Sequence, residues 1–253
     1  GDAIFISTPS QKKILIDGGG PEGGRSVVQF LNRNNVTSID FMISTHAHPD
    51  HVSGLTYVLK DIKVINVIEN GIDYKSPVDE EYDLFLQFKK LSRNETDQFY
   101  ILKKGEGLKL KTEEIEFHVY HPNVDSPHLN DDSLITYLRY GKISFLFAAD
   151  IGERGRTVIA ENRFFPPVSV LKSPHHGDYV PADNFFLDYY KPDMAVISVG
   201  QNEQGRPDTE CLDLYKRKEI KIFRTDVHGT IKIISDGEHY WTFLKNGQQY
   251  PNQ

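Results

Sequence analysis

Four side chains able to bind a divalent cation crowd into six residues, His46-Ala47-His48-Pro49-Asp50-His51. In an extended segment residues two apart point the same way, so His46 and His48 can offer their imidazoles to one ion. Asp50 and His51 come where the chain is expected to turn into a helix over 52–59, and would face a second ion from the other side. Imidazole nitrogen and carboxylate oxygen are donors that zinc and related divalent ions accept. Plain loop histidines are the competing reading, but clustering so many titratable groups is costly without a cation to pair them. The segment follows an apolar run at 40–44, which puts its donors at a strand end, where α/β sites usually lie.

The elements that must hold this segment alternate between short β-rich runs and helical spacing. Residues 3–7 and 13–17 read as strands joined by a Thr8-Pro9-Ser10 turn. Val27, Val28, Phe30 and Leu31 predict a helix over 25–34, and Leu84, Phe85, Phe88 and Leu91 another over 80–92. Residues 40–44 and 64–68 read as strands. Runs 108–111 and 115–120 suit a hairpin around Glu113-Glu114, and 134–140 and 143–149 a second around Gly141-Lys142. Buried-type strands are expected at 168–172 and 194–199, with a helix near 184–190 between them. A helix over 209–217 then precedes closing strands at 220–224, 230–235 and 240–244. Hairpins mixed with helical connections imply an α/β (α+β) protein, mixed sheets covered by helices in one domain over 1–253.

Composition narrows the function classes. The 253 residues are 38% hydrophobic and 26% charged, which suits a globular chain rather than a disordered one. No apolar run approaches the ~20 residues of a membrane span, so no membrane contact is expected within this chain. Without a basic-then-apolar leader, and with Cys211 as the single cysteine, a reducing, cytoplasmic setting fits best. Cys211 reads as core filler, and a thiolate zinc cluster is excluded. A net charge of −7 argues against a broad electrostatic grip on nucleic acid, though a local basic patch remains compatible with it.

His46, His48, Asp50 and His51 match the HxHxDH signature of the metallo-β-lactamase superfamily. The chain resembles in particular the branch related to the competence protein ComEC. Gly1-Asp2-Ala3-Ile4, Ile14-Leu15-Ile16-Asp17-Gly18-Gly19 and Asn130-Asp131-Asp132-Ser133-Leu134 carry that resemblance. So do Phe147-Ala148-Ala149-Asp150-Ile151, Leu171-Lys172-Ser173-Pro174-His175-His176-Gly177 and Thr225-Asp226-Val227-His228-Gly229-Thr230-Ile231. It implies a four-layer αββα sandwich and two divalent ions, zinc first and manganese as the alternative. Asp150 would bridge both ions, and its place at the end of an apolar run suits a carboxylate emerging at a sheet edge. One of His175 and His176 is expected to bind metal and the other to touch substrate or orient a ligand; His176 is taken as the direct one. Asp17 would fix the tautomer of a ligand imidazole from beneath. Many superfamily members place a further histidine between the first motif and Asp150. Here His118, His121 and His128 stand in that region, with His121 as the spare candidate, and water is the other way to complete the first ion's shell. The branch also places an apolar strand ahead of its Gly-Asp-Ala-Ile segment, so a first strand is expected outside this chain.

The chemistry so implied is hydrolysis by a hydroxide shared between two ions, with Asp50, His175 and His176 in catalytic positions. A phosphodiester is the first substrate, in nucleic acid or in a small molecule. A small carboxylic or thiol ester, or a non-catalytic metal-binding regulatory module, are the alternatives. Lys89, Lys90, Arg93, Lys103, Lys104, Lys109 and Lys111 could form a basic surface for nucleic acid, with a solvated helix and hairpin face as the competing account. Ser173 reads as structural. Gly18-Gly19-Gly20 lacks the lysine and helix pattern of a phosphate loop and reads as a tight turn. His228 reads equally well as a pocket residue or a turn residue.

Overall fold

A computed structural model describes residues 1–74, 77–111, 114–245 and 247–251. The chain divides into two compact units. The first, residues 1–106 with 132–134, is built on a five-stranded sheet in the order β1-β2-β3-β4-β5. Strand β1 (Ile4–Ser7) is antiparallel to β2 (Lys13–Ile16), while β3 (Ser38–Ser44), β4 (Lys63–Glu69) and β5 (Gln98–Ile101) continue in parallel. Parallel neighbours need long crossovers, and three helices supply them: α1 (Pro21–Arg33), α2 (Pro49–Asp61) and α3 (Asp79–Asn94). Leu15, Met42, Val64 and Val67 of the sheet pack with Leu31 of α1, Leu55 and Val58 of α2 and Phe88 of α3. Each such side chain stabilises the unit by about 1.5–3 kcal/mol when fully buried.

Two features of this unit differ from expectation, and both concern the metal segment. Helix α2 starts at Pro49 rather than at 52, because proline suits the first helical position and His48 caps it with extended backbone. Asp50 and His51 are therefore first-turn residues, on a rigid element rather than ahead of it. Gly18 is required less for a tight turn than for close approach: a Cβ there would lie 2.4 Å from the Leu55 nitrogen, and one on Gly54 only 1.8 Å from Gly18 O. The loop after β2 thus lies directly on α2, tied by Gly18 N–H to His51 O at 2.8 Å and Gly54 N–H to Gly19 O at 2.8 Å.

The second unit, residues 107–131 with 135–253, carries a seven-stranded mixed sheet in the order β12-β11-β10-β9-β8-β7-β6. Strands β6 (Gly107–Lys111), β7 (Ile115–Tyr120), β8 (Ile135–Tyr140) and β9 (Ile143–Phe147) pair antiparallel. Strands β10 (Val170–Lys172), β11 (Met194–Ile197) and β12 (Lys221–Arg224) extend β9 in parallel. The expected turn at Glu113-Glu114 falls, at Glu113, outside the described residues. Side-chain alternation splits the sheet's two faces. Leu146, Leu171 and Ala195 join the core under α4 (Glu153–Glu161), α5 (Asp183–Tyr190) and α6 (Thr209–Arg217), while Val170, Met194 and Phe223 pack with Tyr240 and Leu244. Tyr240 belongs to the antiparallel sheet β13 (Lys232–Ser235), β14 (Tyr240–Phe243) and β15 (Gln249–Pro251). A short helix, α7 (Thr225–His228), follows β12. Sequence periodicity misses α4, whose apolar residues are few, and the short strands β5 and β15. Among the described residues no helix is long and apolar enough to cross a membrane.

Candidate metal centre

In the first unit the donors stand at the carboxyl ends of β2 and β3 and on the first turn of α2. His46 Nε2 and His48 Nδ1 face each other at 3.1 Å, and their rings meet edge to face at 4.9 Å. Ring nitrogens at that separation share either a proton or a cation. Two nitrogens each ~2.0–2.1 Å from one zinc ion stand roughly 3.3 Å apart, so the pair fits a metal. The His51 ring lies 4.3 Å from that of His46, and its Nε2 is 3.7 Å from Asp50 Oδ2. His51 is fully buried, whereas the Asp50 side chain is half-exposed.

Asp17 organises this set. Its carboxylate accepts hydrogen bonds from Thr45 N–H at 2.8 Å, Thr45 Oγ1 at 2.7 Å and His51 Nδ1 at 2.8 Å. A proton fixed on Nδ1 leaves His51 Nε2 as the nitrogen with a lone pair, the usual arrangement for a metal-binding histidine. Asp2, buried at 2% exposure, brings a second carboxylate within 4.8 Å of the Asp17 and His51 donor atoms. Sequence reasoning assigned Asp2 no role; its signal was an acidic residue placed just ahead of an apolar strand.

In the second unit the residues stand after β9 and β10, again at carboxyl ends of parallel strands. Asp150 is buried, with Oδ2 at 3.2 Å from His176 Nε2 and at 4.0 Å from His175 Nε2. The two histidines are held differently. His176 Nδ1 donates to Ser198 O at 2.9 Å, which aims Nε2 at Asp150. His175 Nδ1 donates to Asp178 Oδ2 at 2.8 Å, while its Nε2 accepts from Asn130 Nδ2 at 3.0 Å. Both His175 nitrogens are thus engaged by neighbouring side chains.

Behind His175 lies a buried charge network. Arg156, with 0% side-chain exposure, pairs with both Asp183 oxygens at 2.8 and 2.9 Å and with Asp178. Burial works to raise the Asp178 carboxyl, but the His175 hydrogen bond and the Arg156 guanidinium outweigh it and hold it below the usual range. Lys172 is also buried, its Nζ donating to Ala149 O at 3.0 Å and standing 3.6 Å from Asp150 Oδ1. Sequence reasoning gave it no part, although a lysine ending an apolar strand is itself a signal.

Backbone strain marks both segments. Nine non-glycine residues have positive φ among the described residues, and Asp17, Ala149, His175 and His176 are four of them. Left-handed residues of this kind cost of order 1–3 kcal/mol each and persist where surrounding structure over-determines them, often at functional sites.

Several of the other residues considered above have structural partners. Ser173 Oγ lies 2.8 Å from Tyr215 OH in the core. Cys211 is buried there too, its thiol pushed up to about 12 by burial. His228 Nδ1 lies 2.9 Å from Arg224 O and belongs to its own turn. His118 pairs with Glu116 on the surface, and His121 is buried just after β7. Neither these two nor His128 joins a cluster of three metal-donor groups among the described residues. Three of the seven basic residues considered above have carboxylate partners: Lys89 is buried against Glu69 at 2.5 Å, Lys104 meets Asp132 at 2.7 Å, and Lys109 pairs with Glu116.

Histidines and carboxylates at the carboxyl ends of parallel strands, in sheets covered by helices, suit the binding of divalent metal ions. Residues 1–200 match the metallo-beta-lactamase superfamily, and the chain belongs to it. It is 29% identical over 253 residues to ComE operon protein 3 of Bacillus subtilis (strain 168), covering 92% of this chain and 31% of that protein. It is 23% identical over 229 residues to Recombination protein 2 of Haemophilus influenzae, covering 88% of this chain and 26% of that protein. The chain therefore spans about a third or less of the curated relatives it matches. Among solved structures, the CmlA beta-hydroxylase E377D mutant superposes with TM-score 0.54 at 18% identity, over 88% of this chain and 50% of that one. The ComEC-like resemblance and the metallo-β-lactamase fold stand on these matches.

Proposed function

We propose that this chain is a binuclear metal-dependent phosphodiesterase. His46, His48, Asp50 and His51 of the first unit, with Asp150 and His176 of the second, are its metal ligands. The pair His46 Nε2 and His48 Nδ1 at 3.1 Å, beside a His51 whose tautomer Asp17 fixes, carries the reading. These residues would hold two divalent ions, zinc or manganese, which would lower the pKa of a water and offset charge developing on the substrate. Of the two later histidines, His176 is the ligand, because a backbone carbonyl holds its Nδ1 and turns Nε2 to Asp150. His175 is held on both nitrogens, Asp178 keeping its proton on Nδ1 and Asn130 orienting its Nε2, and such a fixed imidazole suits contact with the substrate. Asp50, half-exposed on the first turn of α2, completes the set on the solvent side.

The name Recombination protein 2 supports a nucleic-acid phosphodiester as substrate. The pairing of Lys89, Lys104 and Lys109 with carboxylates favours a second reading, a small phosphodiester that needs no extended basic track. One experiment separates them. Metal content is measured after loading with zinc or manganese, and hydrolysis is followed on bis-p-nitrophenyl phosphate and on single- and double-stranded DNA, beside Asp150→Ala. Two bound ions and cleavage lost in the variant are expected. Cleavage of the small ester but not of DNA selects the second reading. Failure to bind any stoichiometric metal sinks both. Metal binding with no hydrolysis leaves a regulatory module.

A further inference from the structure

Lys172 is the last residue of β10, flanked by β9 and β11, with 4% of its surface exposed. A buried ammonium is costly unless oxygen atoms surround it. Here Nζ donates to Ala149 O at 3.0 Å and faces Asp150 Oδ1 at 3.6 Å. The carboxylate is thus divided: Oδ1 looks to a fixed cation, while Oδ2 looks to His176 Nε2 at 3.2 Å.

We propose that the Lys172 ammonium is a protein-borne cation at Asp150, supplying part of the charge that a second metal ion would otherwise supply there. The inference rests on Asp150 being a metal ligand, as proposed above. A unit positive charge a few ångströms from a shared carboxylate competes with any further cation at that oxygen. The resemblance also leaves water as one way to complete the first ion's shell, and His118, one of the three histidines in that region, is paired with Glu116. A centre built this way holds one ion tightly and the other weakly. Lys172 is then a positioning residue for Asp150 that also sets the affinity of the weaker ion.

The test is calorimetric titration of the metal-free wild type, Lys172→Met and Lys172→Arg with manganese alone and with zinc alone. Values of kcat and KM on bis-p-nitrophenyl phosphate are taken at saturating metal. The wild type is expected to bind two ions unequally. In Lys172→Met the weaker site tightens by about tenfold or more while kcat falls, and Lys172→Arg, which keeps the charge, stays near the wild-type metal pattern. If Lys172→Met does not fold, Lys172→Gln removes the charge while keeping a donor for Ala149 O. Metal affinities within about threefold of wild type in a folded charge-removed variant overturn the proposal, whatever happens to stability. Two equally tight ions in the wild type overturn it as well while leaving the hydrolase reading intact. A wild type that binds no metal fails at the earlier reading instead.

Discussion

The two units present their chemistry in opposite styles. In the first, all the candidate donors fall within six residues, and the anchor behind them is one carboxylate, Asp17, accepting three hydrogen bonds. In the second, Asp150, Lys172, His175 and His176 come from two strand ends, and their anchors are dispersed. A carbonyl holds His176, while Asn130, Asp178, Arg156 and Asp183 stand behind His175. The compact segment is held by a single carboxylate that reaches Thr45 and His51 from far away in the chain. The scattered set is held by several separate polar partners, and strain accompanies both, at Asp17 in the first unit and at the consecutive left-handed His175 and His176 in the second.

If the rigid placement of α2 positions the first set, the seat of α2 on the loop after β2 should tolerate no intrusion. Gly54→Ala places a Cβ 1.8 Å from Gly18 O, against backbone that cannot rotate away. We expect a loss of about 4–5 kcal/mol or more, or failure to fold, read from the urea midpoint. A variant within 1 kcal/mol of wild type, measured to about that precision, would show the seat to be soft and remove the contrast.

The second unit's dependence on distant charge is broken at Arg156. Arg156→Met leaves Asp178 and Asp183 buried without their cation, with an expected cost of about 3–5 kcal/mol. Hydrolysis should fall further than stability alone explains, because His175 loses the rigid Asp178 behind it. Unchanged kcat in a folded variant would mean that the network serves the core alone.

Asp17→Asn asks the matching question of the first unit. An amide can still accept from Thr45 but no longer favours a proton on His51 Nδ1 as a carboxylate does. Metal affinity should drop about 10–100-fold, the usual effect of losing a carboxylate behind a ligand histidine. Wild-type affinity in a competition titration would place the tautomer control elsewhere.

The same contrast decides what could be read before the structure. Contiguity made the first set legible, since His46, His48, Asp50 and His51 announce themselves by spacing. Asp150, His175 and His176 drew attention only through resemblance, because two strand ends about 25 residues apart carry no local period. Most strands were legible for the usual reason, alternating apolar residues. The start of α2 was not, because its first turn, Pro49-Asp50-His51, is made of polar donors and a proline that carry no apolar helical period. Asp2, Lys172 and the Arg156 network escaped because their importance is set by burial, which a single charged residue in a sequence does not reveal.

A control for the second unit is Glu116, a carboxylate about as covered as Asp178 but with exposed cationic partners. Glu116 accepts from Lys109 and, at 2.9 Å, from Arg139 and His118, three partners to the two of Asp178. The hydrogen bond from Lys109 comes first and that from His118 second in lowering its carboxyl from 4.5 to about 2. Because the folded value is depressed, its contribution is fully present above pH 4.5 and is lost as pH falls toward 2. Lys109 and Arg139 are half-exposed, so water screens the network and the contribution stays under about 1 kcal/mol. Glu116→Gln should therefore flatten the stability profile slightly between pH 4.5 and 2 and leave hydrolysis at neutral pH unchanged. If it lowered hydrolysis as far as Arg156→Met does, exposure would not be what separates the two networks. The contrast would then rest on connection to the site instead of burial.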